Sequence, residues 1–326
     1  MIFNQDFAEK YKFFNCISPV DLSAAANVGE PMPTSRPGGN ANSIRVFDRV
    51  TALVYKAAGT AGDDIEISVH QAKTHAADMS GADALEFSTI HSRSGAGVGD
   101  AWVEEEINSS SWTSNDNAEK SMVLAIDIPL INMKSGNAVI GVNISQAGSA
   151  GNAQLGGALL LGHNYVSNTK FVEDHAVVMV APRDLSAGAI SRAIGWTGNA
   201  GRLRTFTFVA VTGVGTAGTD TTVKFEATDD ANSADLVYKR IYAVNNTSGA
   251  DYKLTRIPNT DGSNTYTNVN SAENSTIWVA DFDYLDIPDS VRNSNSDKNV
   301  ACSLAQVGSA QPATILGITS GARYLN

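Results

Sequence analysis

CISPVDLSAAA at residues 16–26 returns at residues 179–189 as MVAPRDLSAGA. Pro19, Asp21, Leu22, Ser23 and Ala24 meet Pro182, Asp184, Leu185, Ser186 and Ala187, 163 positions later. Outward from this pair the order holds along both halves. Gly59-Thr60-Ala61-Gly62 returns as Gly215-Thr216-Ala217-Gly218 at offset 156, and Asp127-Ile128-Pro129 as Asp286-Ile287-Pro288 at offset 159. Gln146 with Gly148-Ser149-Ala150 returns as Gln306 with Gly308-Ser309-Ala310 at offset 160. Matches in one order at nearly constant offset imply a tandem duplication. The expected organisation is an N-terminal arm at 1–12, one domain at 13–165, a linker at 166–174 and a second domain at 175–326.

The bulk composition agrees with this division. A chain of 326 residues suits two domains of about 150 residues better than one core. With 43% apolar and 17% charged residues, each copy can bury a core without metals or disulfides. The net charge of -11 is shared, with 11 basic against 18 acidic residues in 1–170 and 12 against 16 in 171–326. Neither half offers a basic stripe for a phosphate backbone, so direct nucleic-acid binding is not expected. The start MIFNQDFAEKYKFF carries Asp6 where a secretory signal is cationic, and no run of 18 apolar residues occurs, so neither Sec export nor a transmembrane segment is expected. Cys16 falls opposite Met179 and Cys302 opposite Val142, positions that the other copy fills with apolar side chains, so both read as buried packing thiols.

Strand patterning runs through both copies. Phe206, Phe208 and Ala210 alternate with Thr205, Thr207 and Val209 before a glycine turn, and Val223 and Phe225 alternate with Lys224 and Glu226 after it. Ile65, Ile67 and Val69 alternate with Glu66, Ser68 and His70 in the first copy, and period two on both sides of the turn predicts a hairpin. Ile140, Val142 and Ile144, like Val300, Cys302 and Leu304, mark a later strand in each copy. Helix is expected only at Asp6 to Phe13 and for a turn or two at Ala187 to Ile194. Polar stretches at 92–99, 108–117, 245–251 and 259–274 read as long loops. The fold class is therefore all-β, two tandem jelly-roll-like β-sandwich domains.

Motifs of chemistry fail one by one against the repeat. Gly213-Val214-Gly215-Thr216-Ala217-Gly218 fits G-x-G-x-x-G, but strand alternation follows it where a dinucleotide site needs a helix, and Ala57-Ala58-Gly59 has lost the spacing. Gly95 to Gly99 sits in a loop without a parallel-sheet pattern. His70, His75 and His91 lie close enough in sequence to suggest zinc, yet His70 aligns with Glu226, and His163 and His175 with Ala322 and Lys12. Asp63-Asp64, Glu104-Glu105-Glu106, Asp229-Asp230 and Asp281 with Asp283 are the notable carboxylates, but adjacent residues on a strand point to opposite faces, so a sequence pair is not a catalytic pair, and they read as solvated acids or a loop calcium site. No catalytic, cofactor-binding or metal-ligating residue is assigned, and the expectation is a non-enzyme without cofactors.

The segments GTAGDDIEISVHQA at 59–72, GTAGTDTTVKFEATDDANSADLVYKRIYAV at 215–244 and ILGITSGARYLN at 315–326, with Arg323-Tyr324 near the end, resemble jelly-roll virion structural proteins of bacteriophages. The first copy ends ALLLGHNY, keeping Gly162 and Tyr165 but not the arginine. That resemblance implies a tandem jelly-roll capsid protein, in which three chains supply six rolls to a lattice site, or a protein that decorates a shell. It also implies association with itself, as a trimer or larger symmetric assembly, and with other capsid proteins, in a virion made in a bacterial host's cytoplasm. The rival reading is a carbohydrate-binding module, with Trp102, Trp112, Tyr252 and Tyr266 as loop aromatics that stack on sugar rings. A glycoside hydrolase would need two carboxyls set across a cleft.

Overall fold

Period-two alternation puts every second side chain on one face of a strand, and the computed structural model is built from strands almost throughout. It describes residues 7–23, 27–34, 47–74, 79, 82–94, 101–114, 120–147, 152–163, 170–196, 205–215, 220–230, 232–246, 255–268, 275–293, 298–306 and 310–320. Glu9–Ser94 and Ala101–Phe171 form one compact unit, and residues 7–8 join Val172–Asn326 in a second. The first strand starts at Tyr11, inside the expected arm, and unit 1 extends to Phe171, inside the expected linker.

In chain order the first elements are α1 (Phe7–Lys10), β1 (Tyr11–Asp21), β2 (Asn27–Val28), β3 (Met32–Pro33), β4 (Arg49–Lys56), β5 (Ile65–Ala72) and β6 (Asp83–Ala84). β7 (Phe87–Ser94), β8 (Val103–Ser109), β9 (Ser111–Thr113), β10 (Met122–Pro129), β11 (Val139–Gln146) and β12 (Leu155–His163) complete unit 1. Then come α2 (Phe171–Asp174), β13 (His175–Asp184), β14 (Ile190–Trp196), β15 (Thr205–Thr212), β16 (Thr221–Asp229) and β17 (Ser233–Asp235). β18 (Arg240–Asn246), β19 (Thr255–Pro258), β20 (Thr265–Asn268), β21 (Ser275–Asp283), α3 (Asp289–Arg292), β22 (Lys298–Gln306) and β23 (Pro312–Ser320) follow.

Each unit holds two antiparallel sheets in the same order. Unit 1 has β1-β12-β4-β10-β7-β8 and β2-β11-β5-β6, with β3 on β11 and β9 on β5. Unit 2 has β13-β23-β15-β21-β18-β19 and β14-β22-β16-β17, with β20 on β16. The first strand of each unit pairs with the last, and the chain passes repeatedly between the two sheets, as in a jelly roll. The core lies between the sheets: in unit 2 Phe208 of the larger sheet stands 6.2 Å from Phe225 of the smaller, ring centre to ring centre.

Several expectations are corrected by this topology. The predicted hairpins are absent at both glycine turns, because β4 and β15 lie in the larger sheets while β5 and β16 lie in the smaller ones. The connections at 57–64 and 213–220 are long enough to cross the roughly 10 Å between packed sheets, and each strand finds its ladder elsewhere. The Ala187 to Ile194 helix is also absent: a 3-10 turn at Leu185–Ala187 ends at Gly188, with φ 126°, and β14 follows. Ile190 and Ile194 are four apart, a spacing that puts both on one face of a strand as well as of a helix. Parts of the expected loops are strand: 92–94 lie in β7, 108–109 in β8, 111–113 in β9, 245–246 in β18 and 265–268 in β20. Asp127-Ile128-Pro129 is a false partner of Asp286-Ile287-Pro288. Asp127 faces Thr51 and Asp281 faces Thr207, so the ladder equates Asp127 with Asp281, at offset 154.

Both cysteines are buried thiols. Cys302 takes the ladder place of Val142, opposite Phe225 where Val142 is opposite Val69. Cys16 is an extra residue in a bulge between Asn15 and Ile17, so Asn15 takes the place of Met179. The Cys16 Sγ donates to the Val142 carbonyl at 3.6 Å, and burial pushes its thiol up to about 12.

Candidate functional site

The corner after the first strand is built identically in the two units. Asp21 Oδ1 accepts from the Ser23 N–H at 3.0 Å and the Gln154 N–H at 3.1 Å, while Leu22 N–H donates to the Gln154 carbonyl. Asp184 Oδ1 accepts from the Ser186 N–H and the Gln311 N–H, both at 2.9 Å, while Leu185 N–H donates to the Gln311 carbonyl. Burial pushes both carboxyls up, but the donated N–H and hydroxyl bonds outweigh it and hold both below the ordinary carboxylate value. Gln154 and Gln311 are buried, and each donates Nε2 to the carbonyl just past the equivalent strands β4 and β15, Ala57 at 3.2 Å and Gly213 at 3.0 Å. The sequence reading missed this glutamine pair. Its signal is Ala153-Gln154 against Ala310-Gln311 at offset 157, the offset that the β12 and β23 ladders share.

A second repeated feature joins the two central strands of each larger sheet. Thr51 donates its hydroxyl to Asp127 Oδ1, and Asp127 Oδ2 accepts the Phe171 N–H at 3.1 Å. Thr207 donates to Asp281 Oδ1 at 2.6 Å, and Asp281 Oδ2 accepts the Ala8 N–H at 3.3 Å. Both carboxylates therefore hold the start of a four-residue helix, Asp127 that of α2 and Asp281 that of α1. The helix sequences FAEK and FVED share Phe and Glu at offset 164. Phe171 meets Tyr11 edge to face at 5.9 Å, and Phe7 meets His175 at 5.2 Å.

The two sites differ in one polar group. In unit 1 His163 Nε2 lies 2.8 Å from Thr51 Oγ1, whereas Ser320 holds the equivalent place in unit 2 and bonds His175 Nδ1 at 3.3 Å. Burial, then the nearby Arg49 charge, pulls His163 down to about 4. Burial raises Asp127 above the ordinary carboxylate value, against the opposing effects of the Thr51 bond, Arg49 and the Phe171 N–H. The hydrogen-bond order Asp–Thr–His is that of a proton relay, but all three groups are buried and the carboxylate is spent on backbone.

The other singled-out residues scatter. His70 on β5 bonds Ser68 at 2.8 Å, and burial lowers its pKa; His91 lies in the other sheet, with Nε2 3.1 Å from Glu104 Oε2; His75 lies outside the described residues. Among the described residues no three His, Cys, Asp or Glu side chains come together as metal ligands. Asp63 accepts from Thr60 and, at 2.6 Å, from Gln146, and the Thr60 hydroxyl is the chief cause of its lowered pKa. Asp229 Oδ1 accepts the Asn232 N–H at 2.6 Å to close a turn, and Asp283 caps the 3-10 turn Tyr284–Asp286. Of the expected stacking aromatics, Trp112 is only 8% exposed and donates Nε1 to Glu105 at 3.0 Å. Tyr266 packs partly buried against the unit 2 core, Trp102 is half-buried, and Tyr252 lies outside the described residues, as do 95–99, 216–218 and 323–324. A ring engaged in packing is no open platform for a sugar.

On the surface, one feature recurs. Ile131 is 84% exposed in the 3-10 turn after β10, and Leu285 is 77% exposed in the 3-10 turn after β21. The offset is 154, that of Asp127 and Asp281, so both units show a large aliphatic side chain at the same point of the scaffold.

No protein-family model and no curated protein matches the sequence. Among solved structures the chain is similar to PNGF-II, at 9% identity and TM-score 0.25, covering 96% of this chain and 66% of that one, just under two thirds of its length. It is similar to the major capsid protein P2 from bacteriophage PM2 at 10% identity and TM-score 0.19, covering 95% and 97% of the two chains. Broad bean stain virus matches at 8% identity and TM-score 0.16, over 98% of this chain and 94% of that chain.

Proposed function

We propose that this chain is a non-catalytic structural protein of a bacteriophage particle, which forms or decorates the capsid shell by symmetric self-association. One observation carries the reading. The polar side chains that recur at equivalent places in the two units close corners and hold helix starts, while the recurring outward feature is an exposed aliphatic residue, Ile131 and Leu285. An apolar side chain held out by an ordered turn gains when a neighbour covers it, and a feature present twice suits repeated contacts in a lattice. The sequence resemblance to virion jelly rolls supports the same reading.

Light scattering of the purified chain at micromolar concentration tests it, with a trimer or larger symmetric species expected. Ile131→Asp with Leu285→Asp is expected to shift that species toward monomer while leaving thermal stability within about 0.5 kcal/mol, as for exposed positions. A wild-type monomer that is also absent from purified particles overturns the proposal.

A further inference from the structure

The outer edge strands of the two larger sheets carry opposite charge at the same place. His91, which faces Ala125, pairs with Glu104 on β8; Tyr242, which faces Val279, pairs with Arg256 on β19. Ala125 faces Leu53 as Val279 faces Val209, so the ladder equates Glu104 with Arg256. The charge reverses between the units. On β8, Val103, Glu104, Glu105 and Glu106 are all exposed; on β19, Thr255, Arg256 and Pro258 are exposed, with Ile257 against the core. The strands at the opposite edges, β1 and β13, are more buried, with six of eleven and five of ten residues inside.

We propose that β8 of one copy adds, edge to edge, to β19 of a second copy, so that chains join head to tail. An edge strand keeps a row of unpaired N–H and C=O groups that another strand can complete. Charge decides which one. Two β8 edges would set three glutamates against three, and two β19 edges would set Arg256 against Arg256, both unfavourable across strands. β8 with β19 faces carboxylates toward a guanidinium, and a local two-fold between these equivalent strands brings Glu104 and Arg256 opposite each other. Each chain owns one acidic and one basic edge of this kind, so a ring uses every edge once, which is the heterologous mode of closed assembly. The proposal rests on the self-association reading and names the contact that would build it.

Sedimentation of the full chain, with hydrogen exchange on the same samples, tests this pairing. Wild type should gain amide protection at 103–109 and 255–258 on assembly, and should weaken as salt screens the charges. Glu106→Arg alone, the Glu104→Arg/Glu106→Arg pair and Arg256→Glu should each raise the dissociation constant about tenfold or more. Arg256→Glu combined with Glu104→Arg and Glu106→Arg in one chain should bring it back toward wild type. Glu106→Arg keeps the Glu104 contacts to His91 and Lys170, so it reports on the edge even where the paired variant unfolds. Assembly unchanged in the single-charge variants overturns the edge pairing and leaves self-association standing. A monomeric wild type overturns the edge pairing, and one that is also absent from purified particles overturns the self-association reading with it.

Discussion

The two units lay the same strands in the same order around cores of different make-up. In unit 1 Ala52 faces Ile126 across the central ladder; in unit 2 the equivalent pair is Phe208 and Ala280. Two residues along the same ladder, Val54 with Leu124 corresponds to Ala210 with Trp278, and Val69 in the smaller sheet corresponds to Phe225. Unit 2 thus gathers Phe208, Phe225 and Phe282 within 5.0 to 6.3 Å of one another, where unit 1 has Ala52, Val69 and Ile128. In the Ala52–Ile126 and Phe208–Ala280 pairs large and small have changed sides, so volume is roughly kept across that rung and not position by position, whereas the neighbouring rung grows on both sides, from Val50 with Ile128 to Phe206 with Phe282. Close-packed cores tolerate that kind of exchange best.

The largest expected effect comes from breaking one such pair. Phe208→Ala leaves alanine facing Ala280 and opens a cavity, and should cost unit 2 about 3–5 kcal/mol, with unit 1 unaffected. Urea unfolding followed by unit-specific hydrogen exchange reads this, because two domains need not unfold as one. Adding Ala280→Ile to Phe208→Ala recreates the Ala–Ile pair of unit 1 and should recover a substantial part of the loss. If the double variant is no better than the single one, the compensation argument fails.

The next effect separates the units by pH. His163 has its folded pKa near 4, below the ordinary 6.5, so it contributes stability that is full above about pH 6.5 and is lost as pH falls through about 4. The size is on the order of 3 kcal/mol, because each tenfold loss of proton affinity is worth about 1.4 kcal/mol. Asp127 works in the other sense: its raised pKa favours the fold at low pH and the gain is lost as pH rises through its folded value. Unit 2 has Ser320 where unit 1 has His163. Exchange protection of unit 1 should therefore fall faster than that of unit 2 between about pH 6.5 and about pH 4, and His163→Gln should flatten the fall. Equal acid sensitivity of the two units in wild type would remove this distinction.

These differences explain what could be read in advance. Asp21 and Asp184 were legible because one carboxylate oxygen must reach two backbone N–H groups, a demand that few side chains meet. The exchange of Ala52 and Ile126 for Phe208 and Ala280 was not, since each position alone shows only an apolar residue of another size. Alternation at 65–69 and 205–210 gave the faces of the strands but not their partners, and so a sandwich arch passed for a hairpin. The repeated Asp-Ile-Pro misled for a related reason: Asp127 holds a helix start from within a strand, while Asp286 accepts the Asp283 N–H in a 3-10 turn. The helix at Phe7–Lys10 lies inside the expected Asp6 to Phe13 stretch and stops where β1 opens at Tyr11, whereas the four-residue helix at Phe171–Asp174 carries too little periodicity to be read, although Phe and Glu recur in both.

The smallest expected effect concerns the feature on which the units agree. Gln154→Ala frees the partly buried Ala57 carbonyl in unit 1, and Gln311→Ala frees the buried Gly213 carbonyl in unit 2. An unsatisfied buried acceptor costs about 1–3 kcal/mol. Because both glutamines sit on the same Asp corner and donate the same Nε2 bond, the parts of the two losses due to that bond should agree within about 0.5 kcal/mol, each confined to its own unit. They should also add in the double variant, as independent sites do. Thr221 is a further partner of Gln311, whose Oε1 accepts the Thr221 hydroxyl at 3.0 Å, so Gln311→Ala removes one hydrogen bond more. A loss at Gln311 that exceeds the loss at Gln154 should therefore shrink when Thr221→Val is present. Unequal losses that survive Thr221→Val would mean that the shared corner, unlike the shared strand order, is not energetically the same in the two units.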